Sequence, residues 1–276
     1  MTTQNNPLKQ FFRRPAVHIK LPSGGKMYPV GVLEIPESGE LPVYPMTAID
    51  DITVKTPDAL FNGAAVTEVI KSCIPAIKDP WMINSMDLDA ILVGIRIATN
   101  GDVLEVESIC PKCNDVASHG VALSVLLTTI TPGDYETPLT IGDLTFRFKP
   151  LTYTEMNKAA IGQFELQRTL RALNDIEDPE EQQKKSQDAL NTITETTMQV
   201  LTCTIASITT PSDTVDQTDY ILDFLHHCDK NTYLKLRDYN TSLREQSEIK
   251  PIQLKCIHCS HEYSQPFTLN TSDFFA

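Results

Sequence analysis

Two short motifs, Cys110-Pro111-Lys112-Cys113 and Cys256-Ile257-His258-Cys259, carry the most reactive pattern of side chains in this sequence. Each is a C-x-x-C pair, and about half of the chain lies between them. Two thiolates spaced in this way can face one ion at roughly 2.3 Å, and two such pairs complete the tetrahedron that Zn2+ accepts in a closed structural site. The spacing therefore predicts that Cys110, Cys113, Cys256 and Cys259 meet around one metal ion.

The flanks agree with that reading. Val103-Leu104-Glu105-Val106-Glu107 alternate into the first pair, and Glu262-Tyr263-Ser264-Gln265-Pro266-Phe267 continue out of the second. Short strands feeding tight cysteine turns are what a zinc ribbon is made of. A single C-x-x-C also serves redox chemistry, but that reading wants the pair to open a helix after a strand, and neither does. His119, His258 and His261 lie near enough to substitute as ligands; with four thiols present they read as exposed histidines. An iron–sulfur centre would use the same thiolates, whereas paired turns favour zinc. Closing a loop of this length costs roughly 4 kcal/mol. Structural Zn2+ contributes about 10–16 kcal/mol of apparent free energy at neutral pH, so the metal wins.

The rest of the chain has to bring those turns together. It has 276 residues, of which 41% are hydrophobic, enough for one large domain or two modest ones. It has no apolar run of membrane-spanning length, and Met1-Thr2-Thr3-Gln4-Asn5-Asn6 lacks the apolar centre of a signal peptide. These features predict a protein made in a reducing cytoplasm, where seven cysteines favour metal binding and burial over disulfides. Cys73, Cys203 and Cys228 fall in helical patterns and read as buried free thiols. The net charge is −13, from 23 basic and 36 acidic residues, a surface that repels phosphate backbones and anionic membranes. The dense basic spot is Lys9, Arg13 and Arg14 beside Phe11 and Phe12, a composition suited to docking on an acidic, apolar protein surface.

Residues 1–16 read as an extended arm ended by Pro15. Val17-His18-Ile19-Lys20 and Val30-Gly31-Val32-Leu33-Glu34-Ile35 read as strands joined by a glycine-mediated hairpin turn. Gly24-Gly25-Lys26 is not a phosphate loop, because Met27 stands where a hydroxyl should ligate Mg2+ and no helix follows. Thr47 caps a helix, Thr56-Pro57-Asp58 starts another, and helices cover residues 63–73 and 87–99, the last with an apolar face of Leu88, Ile91, Leu92, Ile95 and Ile97. Trp81 reads as a local lid on them. Residues 116–130 read as a returning strand, and 139–149 as a hairpin about Gly142-Asp143. Thr152 or Thr154 caps a helix to about Leu173, and Pro179 opens another to about Ser207. Helices follow near 217–228 and 230–246, and adjacent His226 and His227 point to different sides and cannot chelate one ion. Phe274 and Phe275 lie outside any periodic element, suited to the ribbon or a neighbour.

The fold expected is α+β: small β-hairpins and a split zinc-ribbon-like module of four cysteines, combined with an inserted α-helical region. Its divisions are an arm over 1–16, a mixed body with the first knuckle over 17–149, a helical insert over 150–247, and the second knuckle with the tail over 248–276.

Several stretches together resemble a known family. They are Leu21-Pro22-Ser23-Gly24-Gly25-Lys26-Met27-Tyr28, Tyr44-Pro45-Met46-Thr47-Ala48, Thr56-Pro57-Asp58-Ala59-Leu60-Phe61-Asn62-Gly63, and Arg96-Ile97-Ala98-Thr99-Asn100-Gly101 leading into the first cysteine pair. The second pair and the ending Ser272-Asp273-Phe274-Phe275 fit as well. In these the chain is similar to the baseplate proteins of T-even-type contractile-tailed bacteriophages, in particular the hub-assembly subunit and its relatives. The resemblance is dense over about 20–120 and sparse over 150–245. It implies a non-enzymatic structural or assembly protein of the virion tail baseplate, put together in the host cytoplasm. Other baseplate and tail proteins would be its partners, engaged through Phe11, Phe12, Arg13, Arg14, Phe274 and Phe275, and a homo-oligomer about the tail axis is compatible with it.

The rival is a zinc-ribbon regulator that binds nucleic acid. Against it, only Lys112 and Lys255 are basic at the cysteine turns, while Glu105, Glu107, Asp115 and Glu262 surround them. A zinc hydrolase would need an open coordination position and a general base, and four thiolates close the site.

Overall fold

Near the N-terminus Asn6 caps a single 3-10 turn over Pro7–Phe11, and strand β1 (Val17–Ile19) then pairs antiparallel with β2 (Leu41–Val43). The computed structural model describes residues 6–56, 62–172 and 178–267. Residues 30–35, expected as a strand, form none: Gly31 has φ +89°, prolines stand at 29 and 36, and one bridge joins Leu33 to Ile77. A proline offers no N–H to a ladder, so the partner of β1 comes from further along, where Pro42 has its neighbours flanking it on an edge.

Helix α1 (Ala48–Val54) starts in a capping box, with Asp50 N donating to Thr47 Oγ1 and Thr47 N to Asp50 Oδ2. The start expected at Pro57-Asp58 lies outside the described residues. Helix α2 (Ala64–Cys73) buries Ala65, Val66, Val69 and Ile70. Helix α3 (Ser85–Asn100) buries Leu88, Ile91, Leu92 and Ile95, the face its 3.6-residue period predicts, while Ile97 is partly buried. Gly94 lets α3 approach β1 closely, since a Cβ there would stand 2.8 Å from Ile19 Cγ2. Trp81 packs on this core, its ring 5.5 Å from that of Tyr153.

At the other end of α3, buried Asp87 ties down the Ser23–Tyr28 loop. Its carboxyl accepts from Ser23 N (2.8 Å), Ser23 Oγ (2.5 Å) and Tyr28 OH (2.6 Å). The loop is therefore a sequence of turns fastened to a helix, in place of a hairpin connection.

Strands β3 (Val103–Ile109) and β4 (Val116–Ala122) form a full antiparallel hairpin. The strand expected to run on to 130 gives way to helix α4 (Leu123–Thr129), because Leu123, Leu126 and Ile130 bury at helical spacing. Next come β5 (Leu139–Ile141) and β6 (Leu144–Phe148), turning at Gly142 with φ +60°. Helix α5 (Tyr153–Ala172) follows, opened by a Thr152–Glu155 capping box, and then α6 (Pro179–Thr204). The chain does not stay helical to Ser207: Ile205–Thr209 is β7, inserted between β6 and the short β8 (Thr214–Val215). Its β-branched run, Ile-Ala-Ser-Ile-Thr, suits a half-buried ladder better than a helix. Helices α7 (Thr218–His227) and α8 (Lys230–Ser247) complete this part, and β9 (Ile252–Lys255) pairs with β10 (Glu262–Gln265).

Two apolar clusters result. One gathers Ile19, Val43, Ile70, Ile91, Ile95 and Leu123 around α3, and the other gathers Phe146, Leu201, Ile221, Leu225, Leu236 and Leu243. Strand β6 contributes Phe146, fully buried, so the hairpin at 139–148 packs with the helices that follow it. Among the described residues no helix is long and apolar enough to cross a membrane.

Asp89, on α3, is pushed up to about 6 by burial and by the charge of Glu248. The folded chain thus holds its proton more tightly than the unfolded chain, and that stability is present below pH 4 and lost as pH rises through about 6. Asp89→Asn should therefore gain on the wild type by about 1–3 kcal/mol between pH 4 and 7, most of it by pH 6. Urea denaturation along that pH series reads the difference, and a constant offset would contradict the assignment.

Candidate metal centre

The two cysteine turns are built alike. In the first, Cys110 N donates to Asp115 O (3.0 Å) and Asn114 N to Cys110 O (2.9 Å). In the second, Cys256 N donates to His261 O (2.9 Å) and Ser260 N to Cys256 O (3.0 Å). In both, the residue after the second cysteine is left-handed, Asn114 and Ser260 each with φ +56°. That conformation lets the chain reverse within six residues and return as β4 or β10. Asn tolerates it well and Ser less so, since the Cβ crowds the following carbonyl.

Antiparallel hairpins carry the turns toward each other. Side chains on β3 alternate, so Leu104 and Val106 pack on the first core while Val103, Glu105, Glu107 and Ile109 face outward. Between the hairpins, the Ser108 and Tyr263 hydroxyls lie 2.5 Å apart, and Gln265 Nε2 donates to Glu107 O at 3.3 Å. His258 Nε2 stands 2.7 Å from Asp115 Oδ2, bridging one turn to the other.

The four sulfurs consequently converge. Cys110 Sγ is 3.7 Å from Cys259 Sγ, Cys113 Sγ is 3.6 Å from Cys256 Sγ, and all four lie within 4.8 Å of one another. A disulfide needs about 2.05 Å, so none is present between them. Sulfurs at the corners of a tetrahedron with roughly 2.3 Å arms stand about 3.8 Å apart, close to the 3.7 Å and 3.6 Å of these two pairs. Cys110 and Cys256 are buried, Cys259 is half-buried and Cys113 is exposed, so the cluster is shut toward the core and open at one lip.

Its electrostatics are those of thiols sharing protons. Burial opposes ionisation of Cys110, but the backbone at Cys113 and Lys112 and the neighbouring thiols prevail and hold it below the ordinary thiol value. Backbone hydrogen bonding at Cys259 leads in lowering Cys256 against its burial. At Cys113 the backbone at Asp115 favours the thiolate, yet local desolvation within the cluster and the other three sulfurs push the group up. The pull is therefore uneven across the quartet, and a cation among the sulfurs would favour the thiolate form of all four.

The other residues singled out in the sequence fall elsewhere. Among the described residues the cluster of metal-binding type contains these cysteines and no histidine. His261 lies over the Tyr263 ring, and His119 sits on β4. His226 and His227 approach Glu195 and Asp223 separately. Cys73 is buried, whereas Cys203 and Cys228 are only half-buried. Phe11, Phe12 and Arg14 are exposed. Arg13 is not free to reach a neighbour: it donates to Pro45 O (2.6 Å), Ser72 O (2.8 Å) and Ser72 Oγ (2.8 Å), and lies 3.4 Å from Asp50. Phe274 and Phe275 lie outside the described residues. The left-handed Asn114 and Ser260 were missed as site-forming residues, although an Asn or Ser directly after a cysteine pair is the signal that could have found them.

Ser260→Gly should stabilise the second turn and Ser260→Val should cost about 1–2 kcal/mol, because only glycine takes this conformation without crowding. Thermal melts of the two variants should bracket the wild type; equal melting of all three would contradict the geometry.

A family model described as T4 bacteriophage base plate protein matches residues 17–276, and the chain belongs to that family. No match was found among curated proteins or among solved structures.

Proposed function

From that membership we propose that the chain is a structural or assembly component of the central hub region of a contractile phage tail baseplate, with Cys110, Cys113, Cys256 and Cys259 holding a structural Zn2+. The reading rests on the family match over nearly the whole chain, beside four convergent sulfurs drawn from two remote hairpins. Soft thiolates at tetrahedral spacing suit Zn2+ better than oxygen-loving ions, and a set of four leaves no open position for a reacting water. The ion's contribution is to folding: it joins the body of residues 17–149 to the segment 248–276 and so fixes both ends of the intervening 150–247.

A binding role also fits the use of the carboxylates. Asp50 is engaged in a helix cap and with Ser72, and Asp87 in holding the Ser23–Tyr28 loop, so each has a structural task. Partners are other baseplate and tail proteins in the virion, met after synthesis in the host cytoplasm. The exposed Phe11 and Phe12 beside Arg14 favour an N-terminal contact, with Phe274 and Phe275 a second. Arg13 serves that contact indirectly, by fixing the root of the arm. The net charge of −13 disfavours nucleic acid as the ligand.

Purified chain should hold one zinc per molecule by elemental analysis. Cys256→Ser should lose it and melt in two separated transitions or at lower temperature, while Cys203→Ser should keep both metal and melting behaviour. For the assembly role, quantitative mass spectrometry of purified particles should find a small fixed copy number relative to a known tail subunit, or tail intermediates in the lysate carrying the chain. Its absence from both would remove the baseplate reading.

A further inference from the structure

The outer face of the first cysteine hairpin is apolar and acidic at once. Along β3 it presents Val103, Glu105, Glu107 and Ile109, with Val116 opposite Ile109 in the ladder. Val103, Ile109 and Val116 are 58–65% exposed, and Ile257 of the second turn is 69% exposed at the same tip. Glu105 accepts a hydrogen bond from Ser118, and among the described residues neither Glu105 nor Glu107 forms an ion pair. The inner face of the same hairpin is packed on the core, so the outward apolar residues are not there to fill it. Isolated exposed apolar residues are ordinary, but a group of them around two unpaired acids at a rigid tip is a docking surface in want of a basic, apolar ligand.

The chain itself carries a segment of that chemistry. Leu8, Phe11 and Phe12 are 57–75% exposed, and Lys9 and Arg14 make no ion pair among the described residues. Arg13, bonded to Pro45, Ser72 and Asp50, holds the root of this arm against the body. The root lies near the start of β3, because Met46 N donates to Thr99 Oγ1 one turn before the strand begins. The tip, however, is seven residues further along an extended strand, about 23 Å away. The 3-10 turn at Pro7–Phe11 advances only about 2 Å per residue, so its phenylalanines stay within roughly 10 Å of the root. An arm of this build comes within reach of Glu105 but falls short of Ile109, Val116 and Ile257 of its own hairpin, so it cannot cover the whole face.

We propose that the arm of one copy, through Phe11 and Phe12 with Lys9 and Arg14, docks on the Glu105–Ile109 face of the cysteine hairpin of a second copy. This rests on the arm being a docking element, as in the function proposed above, and names its partner. The contact is heterologous, so each bound copy leaves one free arm and one free hairpin, and the chain closes into a ring or extends. Overall repulsion between two strongly acidic chains is screened beyond about 8 Å at physiological salt, while the close Lys and Arg contacts with Glu105 and Glu107 are screened less. Burial of aromatic side chains in the contact supplies the larger share of the attraction.

Sedimentation velocity of the full-length protein over a concentration series tests this. The wild type should associate as concentration rises. Phe11→Ser/Phe12→Ser and Glu105→Lys/Glu107→Lys, both at exposed positions, should each remain monomeric with unchanged circular dichroism and zinc content. Mixed in equal amounts they should form a one-to-one dimer and nothing larger, because each retains the half of the contact that the other has lost. A wild type that stays monomeric throughout would overturn the proposal, as would association that survives the hairpin variant or a mixture that stays monomeric. If the arm variant is excluded from particles while the wild type is monomeric, the hub reading stands and self-docking falls.

Discussion

Four sulfur atoms within 4.8 Å of one another join two hairpins that the sequence keeps about half a chain apart, and most of the architecture follows from that closure. A two-stranded hairpin is marginal in water alone, and β3–β4 and β9–β10 are each two-stranded sheets. What steadies them is lateral contact: Leu104 and Val106 on the core, Ser108 with Tyr263, and the cysteine turns against each other. The four sulfurs are grouped as a metal site of this type requires, and the Zn2+ proposed above would add to those lateral contacts.

Closure at that point disciplines what lies between. Residues after β4 build a second apolar cluster on the β5–β8 sheet and the helices α6 to α8, and the chain returns along α8 to enter β9 beside Asp89 and Glu248. At that return, burial and the nearby charge of Glu248 raise the Asp89 carboxyl above the ordinary range. The first cluster is meanwhile fastened at both ends of α3, by Asp87 on the Ser23–Tyr28 loop and by Thr99 on Met46. A helix tied down at both ends in this way agrees with the structural role proposed above.

The cysteine convergence was legible because C-x-x-C spacing and alternating flanks encode the turn and its strands locally. Helices α2, α3, α7 and α8 were legible through apolar period and caps. Other features were not. Val30–Ile35 has strand composition, but Pro29 and Pro36 deny it a ladder, and the true partner of β1 hides a proline in its middle. Ile205–Thr209 looked like the end of a helix, since only tertiary pairing with β6 distinguishes it. Arg13 read as a free basic group, and nothing local announces its bonds to Pro45 and Ser72, which are 32 and 59 residues away. Asp87 likewise has the position of an ordinary first-turn helix acid; its bonds to Ser23 and Tyr28 exist only once the loop has folded over α3.

Whether the sulfurs close on a cation can be read by X-ray absorption at the zinc edge of the purified full-length chain. The spectrum should fit four sulfur scatterers at about 2.3 Å, with no nitrogen or oxygen in the coordination shell. A shell containing histidine nitrogen or water oxygen, or no bound metal in folded protein, would refute the four-thiolate site and leave the two hairpins held by their side-chain contacts alone.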